Sequence, residues 1–100
     1  MREYEIYLPM AHNDGTPVDP AAVQRIKDTL ARTFGGYTHL DQRFEGVWRM
    51  GRVTFRDDVT IVRVLDDGTA RFDMAAFKTA IEQALAQETV LIITRDVDVV

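Results

Sequence analysis

The segment FGGYTHLDQRFEGVWRMGRVTFRDDVTIVRVL, residues 34–65, decides the fold because it joins a helix end to two long strands. Gly35-Gly36 ends the preceding helix, since glycine adopts the left-handed conformation of a helix C-terminus without strain. Alternating apolar and β-branched residues predict strands over residues 37–49 and 52–65. Met50-Gly51 between them is typical of a tight turn, so the segment predicts a central β-hairpin.

One interruption of the first of these strands is expected at Asp41-Gln42-Arg43 and another at Gly46. The three polar residues have low strand propensity, and a glycine inside a strand often marks a bulge or a close approach by another group. The local geometry of this strand is therefore predicted to be irregular.

Outside this segment, residues 3–10 alternate as a half-buried strand, and residues 89–100 predict the last strand. Asp19-Pro20 and Asp73 are candidate caps for helices over about residues 20–34 and 74–87. The order β-α-β-β-α-β predicts a single α+β domain spanning residues 1–100. Its expected architecture is ferredoxin-like, a four-stranded antiparallel sheet with both helices on one face.

Composition excludes several classes of function. The formal net charge of −4 argues against a general nucleic-acid binder, which presents a basic face. The absence of cysteine excludes disulfides, thiolate catalysis and sulfur-ligated zinc. No apolar run reaches the length of a signal peptide or a membrane helix, so we expect a cytoplasmic protein. No motif predicts a cofactor or a metal site.

An open sheet face is expected opposite the helices. Apolar or aromatic side chains are predicted to point to it, namely Tyr7, Leu91, Ile93 and either Val62 and Val64 or their neighbours. A monomer that exposed them together would carry a large apolar patch. The sequence therefore predicts a homodimer that packs through the open face.

His39 and Asp41 are weak candidates for catalysis. Two residues apart on a strand, they lie on the same face, where a carboxylate could orient a general base. An exposed histidine beside an exposed turn residue is the commoner reading of such a pair. The enzyme alternative is a cofactor-free monooxygenase or isomerase of the dimeric α+β barrel type, and a second alternative is a protein-interaction module.

A set of short motifs resembles a group of small bacterial and phage proteins with no established activity. The motifs are Phe34-Gly35-Gly36-Tyr37-Thr38, Glu45-Gly46-Val47-Trp48-Arg49, Gly51, Asp57, the strand over residues 59–65, and Gln87-Glu88-Thr89-Val90-Leu91. The resemblance covers residues 34–93 and implies a ferredoxin-like fold. This chain departs from the pattern by about two extra residues between Thr38 and Gly46.

The motif positions lead to a hypothesis about a ligand. Trp48 and the nearby arginines suit a small anionic molecule, because guanidinium offers a planar fork of donors and an aromatic ring offers a stacking surface. Packing of Trp48 in the core or the dimer interface is the alternative reading. The predicted ligand-binding residues are Thr38, Trp48, Arg49, Arg56, Gln87 and Glu88.

Overall fold

The computed structural model describes residues 1–100 and has the predicted order of elements. These are β1 (Arg2–Pro9), α1 (Pro20–Phe34), β2 (Thr38–Met50), β3 (Val53–Asp66), α2 (Met74–Ala84) and β4 (Leu91–Asp96). The four strands form one sheet in the order β2-β3-β1-β4, and every neighbouring pair is antiparallel. This confirms the ferredoxin-like α+β prediction. Neither helix combines the length and the apolarity needed to cross a bilayer.

Helix α1 begins and ends as its sequence predicts. The Asp19 carboxylate accepts a hydrogen bond from the Ala21 amide, and Pro20 occupies the first turn, where no intrahelical donor is needed. Gly35 ends the helix with φ of 85°, a conformation that side-chain-bearing residues rarely adopt. Its amide donates to the Ala31 carbonyl, which would otherwise lack a partner.

One core fills the space between the helices and one face of the sheet. Alternate residues of β1 and β3 supply the sheet side, including Ile6, Leu8, Val62 and Val64, all at most 1% exposed. Leu30 of α1, Ile81 of α2 and Leu85, which directly follows α2, pack against them. Val62 and Val64 therefore lie in this core, and their neighbours Ile61, Arg63 and Leu65 lie on the open face.

The second helix and the last strand are shorter than expected. Helix α2 ends at Ala84 because Ala86 adopts a left-handed conformation, with φ of 50°, and the Gln87 amide turns back to the Glu82 carbonyl. Strand β4 ends at Asp96 because its partner β1 begins at Arg2. The predicted bounds of residues 74–87 and 89–100 were too long at these ends.

The central hairpin extends beyond the rest of the sheet. Strand β1 pairs with β3 only as far as the pair of Pro9 with Val59, so residues 45–58, here called the arm, form a two-stranded ribbon. The pairing of β2 shifts between Leu40 and Phe44, where three residues lie opposite Thr60 alone. The irregularity of β2 is therefore a bulge at residues 41–43, and Gly46 pairs regularly with Asp57.

Candidate functional site

The six residues predicted to bind a ligand fall into separate regions of the molecule. Thr38 pairs with Arg63 and Trp48 pairs with Phe55, eight positions earlier on β3. At the rise of an extended strand, eight residues correspond to about 27 Å. Thr38 and Trp48 therefore do not line one small-molecule site within a protomer.

Thr38 lines a cleft of about 490 Å³ at the helix-stop end of the hairpin. The cleft is lined by Glu3, Arg63, Leu65 and the run from Phe34 to Thr38. Its charged groups already have partners within the chain: Arg63 with Glu5 at 2.7 Å and Glu3 with Arg95 at 3.3 Å. A ligand there would find few uncommitted polar side chains.

A charged network lies at the centre of the open sheet face. Glu5 is only 4% exposed and accepts hydrogen bonds from the Tyr7 hydroxyl and from Arg63 Nε, with Arg95 Nη2 at 3.3 Å. Burial alone would raise the pKa of Glu5, but the bonds from Tyr7 and Arg63 and the charges of both arginines lower it overall. The same bond to Glu5 raises the pKa of Tyr7.

The second cleft, here called the arm cleft, brings together three of the six predicted residues. It has a volume of about 310 Å³ and lies between the arm and the loop before β4. Arg56 comes from the arm, and Gln87 and Glu88 come from the loop. Asp57, Asn13 and Thr54 add further polar lining. Arg56, Gln87 and Glu88 therefore lie around one cleft.

The charged groups of the arm cleft have no ion-pair partner within the chain. Arg56, Asp57 and Glu88 form no ion pair within the chain, unlike the charges around Glu5. The Gln87 side-chain nitrogen donates to the carbonyls of Ala11 and Leu85, which leaves its oxygen free to accept. The cleft thus offers one cationic group and two carboxylates to a bound molecule.

Asp57 is the charged residue of this cleft that is not among the six predicted ligand-binding residues. Burial raises its pKa, and the neighbouring charge of Asp58 raises it further. Asp57 and Asp58 do not form one paired-carboxylate site, because adjacent strand residues point to opposite faces. The pairing of Asp57 with Gly46 is not visible in the sequence.

Replacing Asp57 with asparagine is expected to raise the melting temperature at pH 7 by about 2 °C. A carboxyl whose folded pKa is raised binds more protons in the folded state, so stability falls as the pH rises through that pKa. The gain should vanish at pH 3, where Asp57 is protonated in both states. Thermal melts of wild type, Asp57→Asn and the exposed control Glu45→Gln test this, and an equal gain in the control would contradict it.

Trp48 and Arg49 lie on the arm outside both clefts. The Trp48 ring stacks on Phe55 at 5.8 Å and 21°, and it covers Gly46, where a Cβ would lie 3.2 Å from the ring. The indole nitrogen is buried without a hydrogen-bond partner. Arg49 donates to the Gly51 carbonyl within the turn. Within a protomer, Trp48 packs the arm instead of lining a ligand site.

His39 is held by contacts on both ring nitrogens. Lys27 Nζ lies 3.3 Å from Nδ1, and Thr60 Oγ1 lies 3.1 Å from Nε2. An ammonium group can only donate, so Nδ1 accepts and Nε2 carries the proton. Burial, then the charge of Lys27, lowers the pKa of His39, and the charge of Asp41 opposes this.

The cleft beside His39 therefore offers little general-base chemistry. It has a volume of about 280 Å³ and includes Lys27, His39, Asp41 and Arg43. Asp41 is 83% exposed and lies 3.8 Å from Nε2, too far to orient the ring firmly. No ring nitrogen of His39 is free to take a proton from a substrate unless Lys27 moves away. No three His, Asp or Glu side chains of the chain lie close enough to share a metal ion.

Comparison with known proteins finds similarity in fold. No family model matches the chain, and no curated protein matches it. Among solved structures, a phage SAM lyase in complex with S-methyl-5'-thioadenosine superimposes with a TM-score of 0.65 and 13% identity, covering 95% of this chain and 80% of that chain. A phage SAM lyase in the apo state gives a TM-score of 0.59 and 14% identity, covering 94% and 78%. Identity at this level shows a shared fold.

Proposed function

We propose that this chain binds a small molecule carrying both an anionic and a cationic group, and that the ligand occupies the arm cleft. One observation carries the proposal: Arg56, Asp57 and Glu88 line one cleft, and none of the three has an ion-pair partner. Charged side chains are usually paired or fully solvated, so three unpaired charges around a concavity favour a charged ligand.

Each charge has a distinct role in this proposal. The Arg56 guanidinium binds a carboxylate of the ligand, which retains the anionic group expected from the sequence. Asp57 and Glu88 bind a cationic group, because a purely anionic molecule would meet two carboxylates for one arginine. The free oxygen of Gln87 accepts a hydrogen bond from the same cationic group if that group is an ammonium.

S-adenosylmethionine is the first ligand to test. It has a carboxylate, an ammonium and a sulfonium, which matches the mixed charges of the arm cleft. The structural neighbours supply the second reason, because they are SAM lyases and one of them holds S-methyl-5'-thioadenosine. S-methyl-5'-thioadenosine, which lacks the charged groups, is the matched control ligand.

Isothermal titration calorimetry tests the proposal. S-adenosylmethionine is expected to bind wild type, and Arg56→Ala is expected to weaken binding by about 10-fold or more, since a charge-assisted hydrogen bond contributes on the order of 1.5–3 kcal/mol. Arg52→Ala, an exposed arm arginine outside the cleft, should leave the affinity unchanged. Absence of binding at millimolar ligand, or equal weakening by both variants, would overturn the proposal.

A second candidate function is lyase activity on the same ligand. The observation that favours it is the extent of the structural similarity, which covers 95% of this chain. The calorimetry samples can be assayed for release of S-methyl-5'-thioadenosine by liquid chromatography with mass spectrometry. Product formation by wild type and its loss in Arg56→Ala would support the lyase. Binding without product would leave a ligand-binding domain and exclude this activity.

A further inference from the structure

An apolar strip runs along the open sheet face and continues onto the arm. Its members are large side chains that are between 37% and 51% exposed. They are Phe44, Met50, Val53, Leu65 and Ile93. They lie on both sides of the charged network around Glu5, and several large exposed apolar side chains on one face of a sheet favour a partner for that face.

The register of the hairpin places these side chains on one face. Strand β3 alternates without interruption, so its odd-numbered residues from Val53 to Leu65 point to the open side. Phe44 pairs with Val59 and Met50 pairs with Val53, so both extend the same face along β2. The strip therefore follows the hairpin, and Asp57 and Arg63 of β3 interrupt it.

The charges within the open face are paired inside the protomer. Glu3 and Glu5 neutralise Arg63 and Arg95 at distances of 2.7 to 3.3 Å. Covering this network would therefore leave none of its charges unpaired. Among the odd-numbered residues of β3, Asp57 alone carries a charge without an ion-pair partner. A nucleic acid would find no net positive charge here, which is the main source of its affinity for proteins.

The two ends of the strip carry opposite unpaired charges. Arg49 and Arg52 at the tip of the arm have no ion-pair partner. At the opposite end of the sheet, Asp66, Asp67 and Asp98 also form no ion pair. These ends are separated by the length of β3, about 40 Å at the rise of an extended strand.

We infer that a second copy of this chain covers the open face, related by a two-fold axis that makes the two β3 strands antiparallel. This orientation stacks the apolar strips and places the basic arm tip of one protomer over the acidic end of its partner. Charge complementarity between two ends of the same chain favours a second copy over a different protein. The inference does not rest on the ligand proposed for the arm cleft, and Val53 is the strip member that also lines that cleft.

Sedimentation velocity tests whether the strip is an interface between copies. Wild type is expected to sediment as a dimer at micromolar concentration. Phe44→Asp is expected to sediment as a monomer, because Phe44 lies opposite Val59, midway along the strip, and a charge there would enter the centre of an apolar contact. The exposed α2 variant Gln83→Asp should remain a dimer. A monomeric wild type, which would indicate a different partner or none, overturns the inference.

Cross-linking tests the orientation. Because the chain has no cysteine, only introduced cysteines can react with the cross-linker. Met50→Cys and Leu65→Cys are placed in one chain, where about 40 Å of β3 separates them, too far for a short bis-maleimide. The double variant is expected to form covalent dimers and each single variant to remain uncross-linked. Covalent dimers from Met50→Cys alone would place the two arm tips together, and a dimer that does not cross-link would lie on another face. Either result overturns the proposed orientation.

Discussion

Glu5→Ala is expected to lower the free energy of unfolding by about 2–3 kcal/mol, because it removes the one acceptor shared by three donors. Glu5 is 4% exposed, and its carboxylate is held by Tyr7, Arg63 and Arg95. Without it, the Tyr7 hydroxyl loses its partner and two guanidiniums lose a counter-charge. The value lies below that of a fully buried pair, since both arginines are about half exposed to solvent.

The pH dependence of stability gives a second readout for the same residue. The folded pKa of Glu5 is lowered, so its contribution is fully present above its unfolded pKa, near 4.5, and is lost as the pH falls through the folded value. Glu5→Gln should therefore flatten the acid limb of the stability curve. Urea denaturation between pH 7 and pH 3 measures this. Glu3→Gln, on the same strand face with a single partner, should lose less, and an equal loss would contradict the central role of Glu5.

Glu82→Ala is expected to destabilise the protein by about 2 kcal/mol, because it leaves a buried backbone donor without a partner. The Glu82 carboxylate accepts a hydrogen bond from the Val90 amide at 2.8 Å and another from Lys78. Val90 is fully buried, so water cannot replace the lost acceptor. Burial alone would raise the pKa of Glu82, but the bonds from Lys78 and Val90 lower it overall.

A graded pair of substitutions separates the two parts of this effect. Glu82→Gln keeps an oxygen for the Val90 amide and loses only the charge opposite Lys78, so it should cost much less than Glu82→Ala. Chemical denaturation measures both changes, with the exposed helix substitution Gln83→Ala as a control. Equal losses for the two Glu82 variants would show that the charge, and not the bond to Val90, holds α2 to β4.

The fold was predictable because its signals are local. Asp19-Pro20 and Gly35-Gly36 bracket α1, and the structure shows the cap and the left-handed glycine that these residues predict. Strand alternation and the short turn at Gly51 then define the hairpin. The boundaries that were wrong have no such residue signal. The end of β4 is set by where β1 begins, and the end of α2 is set by its turn back toward Glu82.

The candidate site was predictable only in part, for geometric reasons. Sequence motifs report order along the chain, but the hairpin separates Thr38 from Trp48 by most of its length. The bulge at residues 41–43 adds to this, because three residues oppose one and displace the pattern along β2. Arg56, Gln87 and Glu88 lie around one cleft because the arm and the loop before β4 meet there.

The Glu5 network shows what a single sequence leaves hidden. Alternation indicates that Glu3, Glu5 and Tyr7 share a face, but it does not identify the strands on either side. The arginines come from residue 63 on one neighbour and residue 95 on the other, and only the strand order brings them to Glu5. A residue that appears to be an exposed strand carboxylate is therefore the most buried acidic group of the open face.

The pairing of β1 with β4 has a consequence for the order of assembly. This ladder joins Arg2 to Asp96 and Tyr7 to Leu91, so forming it closes a loop that contains almost the whole chain. The β2–β3 hairpin closes over a few residues and can form within microseconds, whereas long-range pairing must first offset a larger loss of chain entropy. We therefore expect β4 to dock last, onto a β1 already paired with β3, and its docking to set the folding rate of this small domain.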